Sequence, residues 1–411
     1  MSAPDARPQT PDPGPRTPSA SRFLVRGTNW LGDAVMTTPA LLRLREKFPD
    51  AHITLLTPEK LRDLWLGHPA VNEIISFAPD DNIFSVSKKL RRWGEATDEP
   101  ALASQTAARE DHRRAGQAAR PTSFDLTLVL PNSPRSAIET WLAGIPRRVG
   151  CARPWRNFFL TQTIAPRPDA VKMHKRSVAE IKRLISHLPS PISHVPATAH
   201  QIHEYLHLVA ALGANPEPIA PRLFVSPDEI ESAKEKFGLE KITQPVFGLN
   251  PGAEYGPAKR WPVERFIAAA QEIQKQTNCV WLMSGGKGDI AIASQIASQL
   301  PSANFHLLNL AGKTSLRELM SLLKLCRVLL TNDSGPMHVA AALGTPVVVP
   351  FGSTSPELTG PGLPGDPRHR LLKSDAPCSP CFLRDCPIDF RCLKGIAVER
   401  VVEAVLSVQR G

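Results

Sequence analysis

Long apolar runs are missing from this 411-residue chain. The longest candidate, Val339 to Phe351, is cut by Gly344 and Pro346 and falls short of the roughly 18 residues that span a membrane. No two aspartates stand two positions apart, which removes the usual D-x-D carboxylate clamp for a divalent ion on a diphosphate. There is no short-period repeat. Cysteines number seven, an odd count with no apolar signal segment ahead of them, which points to a reducing compartment and away from a disulfide framework. Two nucleotide motifs are incomplete. Gly286-Lys-Gly-Asp-Ile-Ala291 fits G-x-G-x-x-A, but the next acid after Asp289 is Glu318, too far on to meet a ribose. Gly312-Lys-Thr314 resembles the end of a P-loop, yet Leu307 stands where the first glycine belongs.

What is present is a globular composition, 42% hydrophobic and 21% charged, long enough for two or three domains. The net charge of +10 is unevenly spread: residues 1–200 hold 28 Lys+Arg against 19 Asp+Glu, while the remainder is nearly neutral. A basic first half is expected to meet something anionic, whether nucleic acid, phospholipid or charged glycolipid, although a bland basic surface explains charge alone equally well.

From Phe23 onward, short apolar runs alternate with helical patterns, the signature of parallel α/β sheets. Residues 1–21, rich in Pro, Ser and Thr, read as a disordered tail. Residues 22–212 form a first Rossmann-like lobe, interrupted by a polar insertion at 79–123. A linker region follows at 213–244, then a second such lobe at 245–395 and a closing helix at 396–411. Two lobes of this kind make a cleft lined by the loops at their strand carboxyl ends.

The most informative stretch is Thr331 to Pro356, read as strand, polar turn, helix and buried strand. The turn Asn332-Asp333-Ser334-Gly335 enters a helix with Pro336 in its first turn, where a missing N–H costs nothing. Unpaired N–H groups and the positive dipole end make that helix start an anion site suited to a diphosphate, unless it is an ordinary capped helix. Lys259-Arg260, in a Gly/Pro-rich loop between strand and helix, are the cations placed to help. Asp33, after Gly32 at the first strand–helix turn, is placed to accept a proton from an alcohol or to cap its helix.

Two metal patterns call for weighing. His203-Glu-Tyr-Leu-His207 is a literal H-E-x-x-H without an evident third ligand, so an interdomain helix carrying two histidines is the better reading. Cys378, Cys381, Cys386 and Cys392 lie within fifteen residues. Their spacing could close a small structural thiolate site, a clamp beside the cleft and not the catalyst, though buried free cysteines also behave as small apolar residues.

Five motifs occur in order: Arg26-Gly-Thr-Asn-Trp-Leu-Gly-Asp33; Leu130-Pro-Asn-Ser133 with Ala143-Gly-Ile-Pro-Arg147; Asn250-Pro-Gly-Ala253 with Pro257-Ala-Lys-Arg-Trp-Pro262; Leu310-Ala-Gly-Lys-Thr-Ser315; and Thr331-Asn-Asp-Ser-Gly-Pro-Met-His338 with Phe351-Gly-Ser-Thr-Ser-Pro356. Together they resemble the ADP-heptose:lipopolysaccharide heptosyltransferases of glycosyltransferase family 9, over roughly residues 22–410. The resemblance implies a GT-B fold and a metal-independent, cofactor-free, inverting transfer of L-glycero-D-manno-heptose from its ADP-activated form. The implied acceptor is the first heptose of the inner core on Kdo-lipid A, at the cytoplasmic face of the inner membrane, with peripheral membrane contact and no nucleic acid. By position, Asp33 matches the family's proposed base and Lys259 the lysine that meets the departing diphosphate. Asn250, Gly252, Asp333, Ser334, Gly335, His338 and Asp289 fall at the donor, and Asn132, Ser133 and Arg135 beside the acceptor. Alternatives are a different core acceptor, a GT-B sugar-nucleotide epimerase, and a basic binding protein without catalysis.

Overall fold

The computed structural model describes residues 21–96, 124–186, 195–300 and 305–408. The expected tail and most of the 79–123 insertion lie outside those residues, except that Ile83–Ala96 is helical. Two six-stranded, wholly parallel sheets carry the fold. The first holds β1 (Arg22–Arg26), β2 (His52–Pro58), β3 (Glu73–Phe77), β4 (Leu126–Val129), β5 (Arg147–Cys151) and β6 (Gln162–Ile164), in the order β3-β2-β1-β4-β5-β6. The second holds β7 (Val246–Asn250), β8 (Val280–Met283), β9 (Leu307–Asn309), β10 (Val328–Thr331), β11 (Val347–Pro350) and β12 (Arg370–Leu372), in the order β12-β11-β10-β7-β8-β9.

The inner strands are short and buried on both faces, mostly Leu and Val with a buried threonine in two of them: Leu126–Val129, Val280–Met283 and Val328–Thr331 are buried throughout. Register is fixed by pairs such as Val25 with Leu55 on one side and Leu128 on the other. In each sheet the chain reverses its direction of travel at one place, between β1 and β4 and between β7 and β10. The loops leaving those four strands open the crevice where a doubly wound sheet binds its ligands.

Helices close the faces where the sequence signals them. Ser133 caps Pro134–Leu142 by accepting from the Ser136 N–H, with Pro134 in the first turn. The expected linker region contains a further helix, Pro227–Phe237, opened by a capping box between Ser226 and Glu229. It packs against Leu316–Leu325 and so belongs with the second lobe. Between β2 and β3 the chain forms a run of 3₁₀ turns, Glu59–Trp65.

The lobes are joined by apolar packing. Leu31–Lys47 of the first lobe packs on Gly335–Ala342 of the second, and one core cluster runs from Phe23, Leu41 and Leu55 through to Met337, Val339 and Val347. Close approach is possible because small residues meet at the crossing. A Cβ on Gly32 would lie 2.7 Å from the His338 ring, and one on Gly335 would lie 2.8 Å from Leu31. Arg317 of the second lobe ties the seam further: Glu229 holds its guanidinium, which donates to the Leu66 carbonyl of the first lobe at 3.3 Å.

Candidate active site

The β1 loop is built on a buried ion pair. Arg26, 2% exposed, donates through Nε to Glu139 at 2.9 Å and through Nη1 to the Gly27 carbonyl at 2.6 Å and to Asn29 Oδ1 at 3.1 Å. Such a pair costs desolvation, so it is weak evidence of added stability; its visible effect is to fix the backbone that leads to Asp33. The helix after this loop is capped by Trp30, without a side-chain cap bond, and Asp33 sits in its first turn. Asp33 is therefore not the cap.

Asp33 lines a cavity of about 750 Å³ in the first lobe, together with Asn132 and Ser133 from the β4 loop. Burial raises its carboxyl to about 6, against the opposing pull of a Gln201 hydrogen bond and the Lys259 charge. Gln201 Nε2 donates to Asp33 at 3.4 Å, a long contact, and to the Tyr205 hydroxyl at 2.9 Å. Burial, with Asp33 next, holds the Tyr205 phenol well above 10, so it keeps its proton. Gln201 is in turn anchored across the seam, its N–H donating to the Leu358 carbonyl at 2.9 Å.

Across the seam stand the β7 and β10 loops of the second lobe. Asn250 donates to Thr331 Oγ1 and Ser334 Oγ, both at 3.1 Å, and Asn332 accepts from the Trp261 N–H at 2.9 Å. Ser334 is the N-cap of Gly335–Ala342 but makes no side-chain cap bond, so the first-turn N–H groups have no cap from that residue. Lys259 Nζ lies 2.7 Å from Asp333 Oδ2, with both side chains largely buried, and Thr354 donates to the same oxygen. The carboxylate in the expected anion cradle is thus already held by a cation, and Asp333 acts as the holder of Lys259. Asp289 accepts from the Gly286 N–H at 3.0 Å, and its carboxylate fills the space where a Cβ on Gly252 would stand, 2.2 Å away. A side chain at 252 would push that acid aside.

The other expected residues fall differently. His338 is buried against Gly32 of the first lobe, and burial lowers its ring to about 4, so it is neutral and offers no cation to a phosphate. Arg135 is absent from the cavity lining; it pairs with Glu139 at 2.8 Å and donates to the Asp81 carbonyl at 2.5 Å. The cavity's cations are instead Arg153, Arg167 and Lys172. Arg167, with a side chain 9% exposed, leaves Nη2 without a partner among the described residues. The H-E-x-x-H pair serves other ends: Glu204 pairs with Arg167 at 3.3 Å, and the His207 ring meets the Ala165 carbonyl at 2.9 Å.

Cys378, Cys381, Cys386 and Cys392 do gather, but among the described residues no group of three or more His, Cys, Asp or Glu is arranged to hold a metal ion. Of the two readings the spacing allowed, the structure has these four as free thiols packed together. Burial first, and then the neighbouring Cys378, Cys381 and Cys386 sulfurs, push the Cys392 thiol up to about 12. The segment still braces the site. Ala258 donates to the Arg384 carbonyl at 3.0 Å, Tyr255 to that of Phe382 at 2.7 Å, and Gly256, at φ 151°, brings its α-carbon against Arg384. Lys259 is carried on the loop so held. On the other side, Arg176 donates to the Cys381 carbonyl at 3.1 Å, and Ile181 packs on Cys378 and Cys381.

Gln201, Tyr205, Thr354, Arg167 and the Arg26–Glu139 pair were not singled out from sequence. Gln201 and Tyr205 had a usable signal, four apart on one helical face. Thr354 lies in the Phe351–Pro356 motif, where nothing in the sequence ties it to Asp333.

Two facing parallel α/β lobes, with a buried carboxylate on one and a lysine paired to Asp333 just ahead of a helix start on the other, have the GT-B architecture of nucleotide-sugar glycosyltransferases. Residues 170–390 match the family model described as "Glycosyltransferase family 9 (heptosyltransferase)". Lipooligosaccharide heptosyltransferase 2 of Haemophilus ducreyi is 30% identical over 83% of this chain and 86% of its own length. Lipopolysaccharide heptosyltransferase 2 of Escherichia coli is 29% identical over 83% and 85%. The solved structure of E. coli ADP-heptose lps heptosyltransferase II superposes with a TM-score of 0.70 at 26% identity, covering 95% of this chain and 98% of that one. The chain belongs to glycosyltransferase family 9.

Proposed function

We propose that this chain transfers heptose from an ADP-heptose donor to the first heptose of a lipopolysaccharide inner core, with inversion at the anomeric carbon. The observation that carries the reading is Asp33, raised to about 6 and electrostatically coupled across the seam to Lys259, at the head of a basic cavity. The Asp33 carboxylate takes the proton of the acceptor hydroxyl. That oxygen forms the new bond to the anomeric carbon as the bond to the β-phosphate breaks. The electron pair leaves on the phosphate oxygen, met by Lys259 and the N–H groups at the start of Gly335–Ala342. Asp333 and Thr354 keep Lys259 in place, while Asp289, beside Gly252, is positioned for the nucleotide.

Arg153, Arg167 and Lys172 suit an acceptor carrying carboxylates or phosphates, as a Kdo-lipid core does. The missing D-x-D pair favours metal-independent transfer, with Lys259 and the helix start offsetting the developing charge. Such an acceptor would be met at the cytoplasmic face of the inner membrane. The contact proposed there is peripheral; among the described residues no helix is long and apolar enough to cross a membrane.

The test is mass spectrometry of products from ADP-heptose with Kdo-lipid acceptors bearing zero, one or two heptoses. A single added heptose on the one-heptose acceptor, undiminished by EDTA, is the expected result. Product only from the other acceptors would move the specificity, and epimerised donor without transfer would overturn the reading.

A further inference from the structure

Six of the eleven large apolar side chains exposed among the described residues come from one stretch: Trp141, Trp155, Phe158, Val171, Met173 and Val178. Trp155 is 89% exposed and Phe158 81% exposed, so neither gains anything from the fold's own core. Phe158 stacks edge-on to Phe159 at 5.4 Å, and Phe159 to Trp141 at 5.4 Å, making a continuous aromatic ridge beside β5 and β6. Trp155 stands at φ 66°, a backbone conformation that a bulky residue rarely adopts.

The ridge is rigidly mounted. Arg156, fully buried, donates to the Pro131 carbonyl at 2.7 Å and to Asn132 Oδ1 at 3.3 Å, and the Arg153 N–H donates to Asn157 Oδ1 at 2.9 Å. The loop displaying Trp155 is thus pinned to the wall of the Asp33 cavity. Charge follows the same stretch. Between residues 143 and 176 the sequence holds eight Arg or Lys and a single acid, Asp169. Arg147 is exposed at the edge, while Arg153 and Lys172 lie at the cavity itself.

We infer that this face seats the enzyme on an anionic lipid bilayer, with Trp155 and Phe158 entering the headgroup boundary and the flanking cations meeting lipid phosphates. Aromatic side chains with one wet edge favour that depth, and basic residues beside them add attraction that falls within a Debye length. A protein partner would not need a surface so poor in acids. The consequence is geometric: the cavity that ends at Asp33 opens beside the membrane face, so a lipid-anchored acceptor enters without leaving its bilayer. The inference rests on the acceptor being lipid-linked, as proposed above.

The experiment compares the full chain with Trp155→Ala/Phe158→Ser in flotation with vesicles of phosphatidylcholine alone or with phosphatidylglycerol. The wild type is expected to float with the anionic vesicles, less so at high salt, and the variant to bind them at least about tenfold more weakly. Both should turn over a delipidated, water-soluble core acceptor equally, because neither side chain lines the cavity. Flotation unchanged by the double substitution, or no flotation of the wild type, overturns the inference. So does light scattering that finds a dimer in the wild type and a monomer in the variant, since the ridge would then be a contact between copies. Absence of product from both soluble and lipid-linked acceptors would instead sink the transferase reading, with vesicle binding still deciding the surface.

Discussion

Replacing Asp33 by Asn removes the proton acceptor while keeping its shape, and the structure fixes the consequences for rate and for stability together. On rate, a positioned general base is worth about 10²–10⁴-fold, so turnover should fall by that factor while ADP binding stays near the wild-type value. For the wild type, kcat/KM should drop about tenfold per pH step below about 6, the value to which burial raises this carboxyl, and the variant should lose that limb. On stability, a carboxyl that titrates at 3.8 when free and at about 6 when folded disfavours the folded state once ionised. Its favourable contribution is complete below pH 3.8 and is lost as pH rises through about 6. The full difference corresponds to on the order of 3 kcal/mol, trimmed by partial exposure to roughly 1–2. The Asn variant should therefore be the more stable protein in urea at pH 7.5 and lose that advantage near pH 4, while making almost no product. Substantial retained activity would refute the base assignment. Inactivity with no gain in stability at neutral pH would refute the account of how burial tunes the group.

Lys259→Ala should raise the donor KM and lower kcat together, and should free Asp333 as a buried, uncompensated acid; steady-state kinetics at varied ADP-heptose would register it. Gly252→Ala forces the Asp289 carboxylate away and should weaken ADP binding by calorimetry while leaving acceptor KM unchanged. Arg26→Leu strands Glu139 in the core with only Arg135 beside it and should cost about 3 kcal/mol in urea unfolding, much of it recovered in Arg26→Leu/Glu139→Leu.

Much of this architecture was legible because parallel sheets write themselves as apolar runs between helical patterns. The two strand–loop–helix units that face one another carry Asp33 and Ser334 at their helix starts as read. Weaker signals were lost. β5 is broken by arginines and a glycine, and β6 and β12 span three residues each, so neither periodicity nor length marks them. The helix at Pro227–Phe237 had a clear capping pair in Ser226 and Glu229, obscured by the prolines around it. At the site, residue type foretold role only where the partner was near in sequence. Arg135 looked like an acceptor contact until its neighbour four positions on, Glu139, proved to be the buried mate of Arg26. His338 reads as a polar ligand in one dimension, and only the approach of Gly32 from the other lobe shows it as packing. Cysteine spacing speaks of metal or packing alone, and it carries no sign that this segment braces the loop of Lys259 through backbone carbonyls at Phe382 and Arg384.

The apolar seam between the Leu31–Lys47 and Gly335–Ala342 helices has a consequence for how the molecule comes apart. Halves glued by leucine, valine and methionine side chains cannot separate without wetting oily surface, so neither half has an independent melting event. A calorimetric scan should show a single endotherm, and a nucleotide bound to one half should carry the other upward in temperature with it.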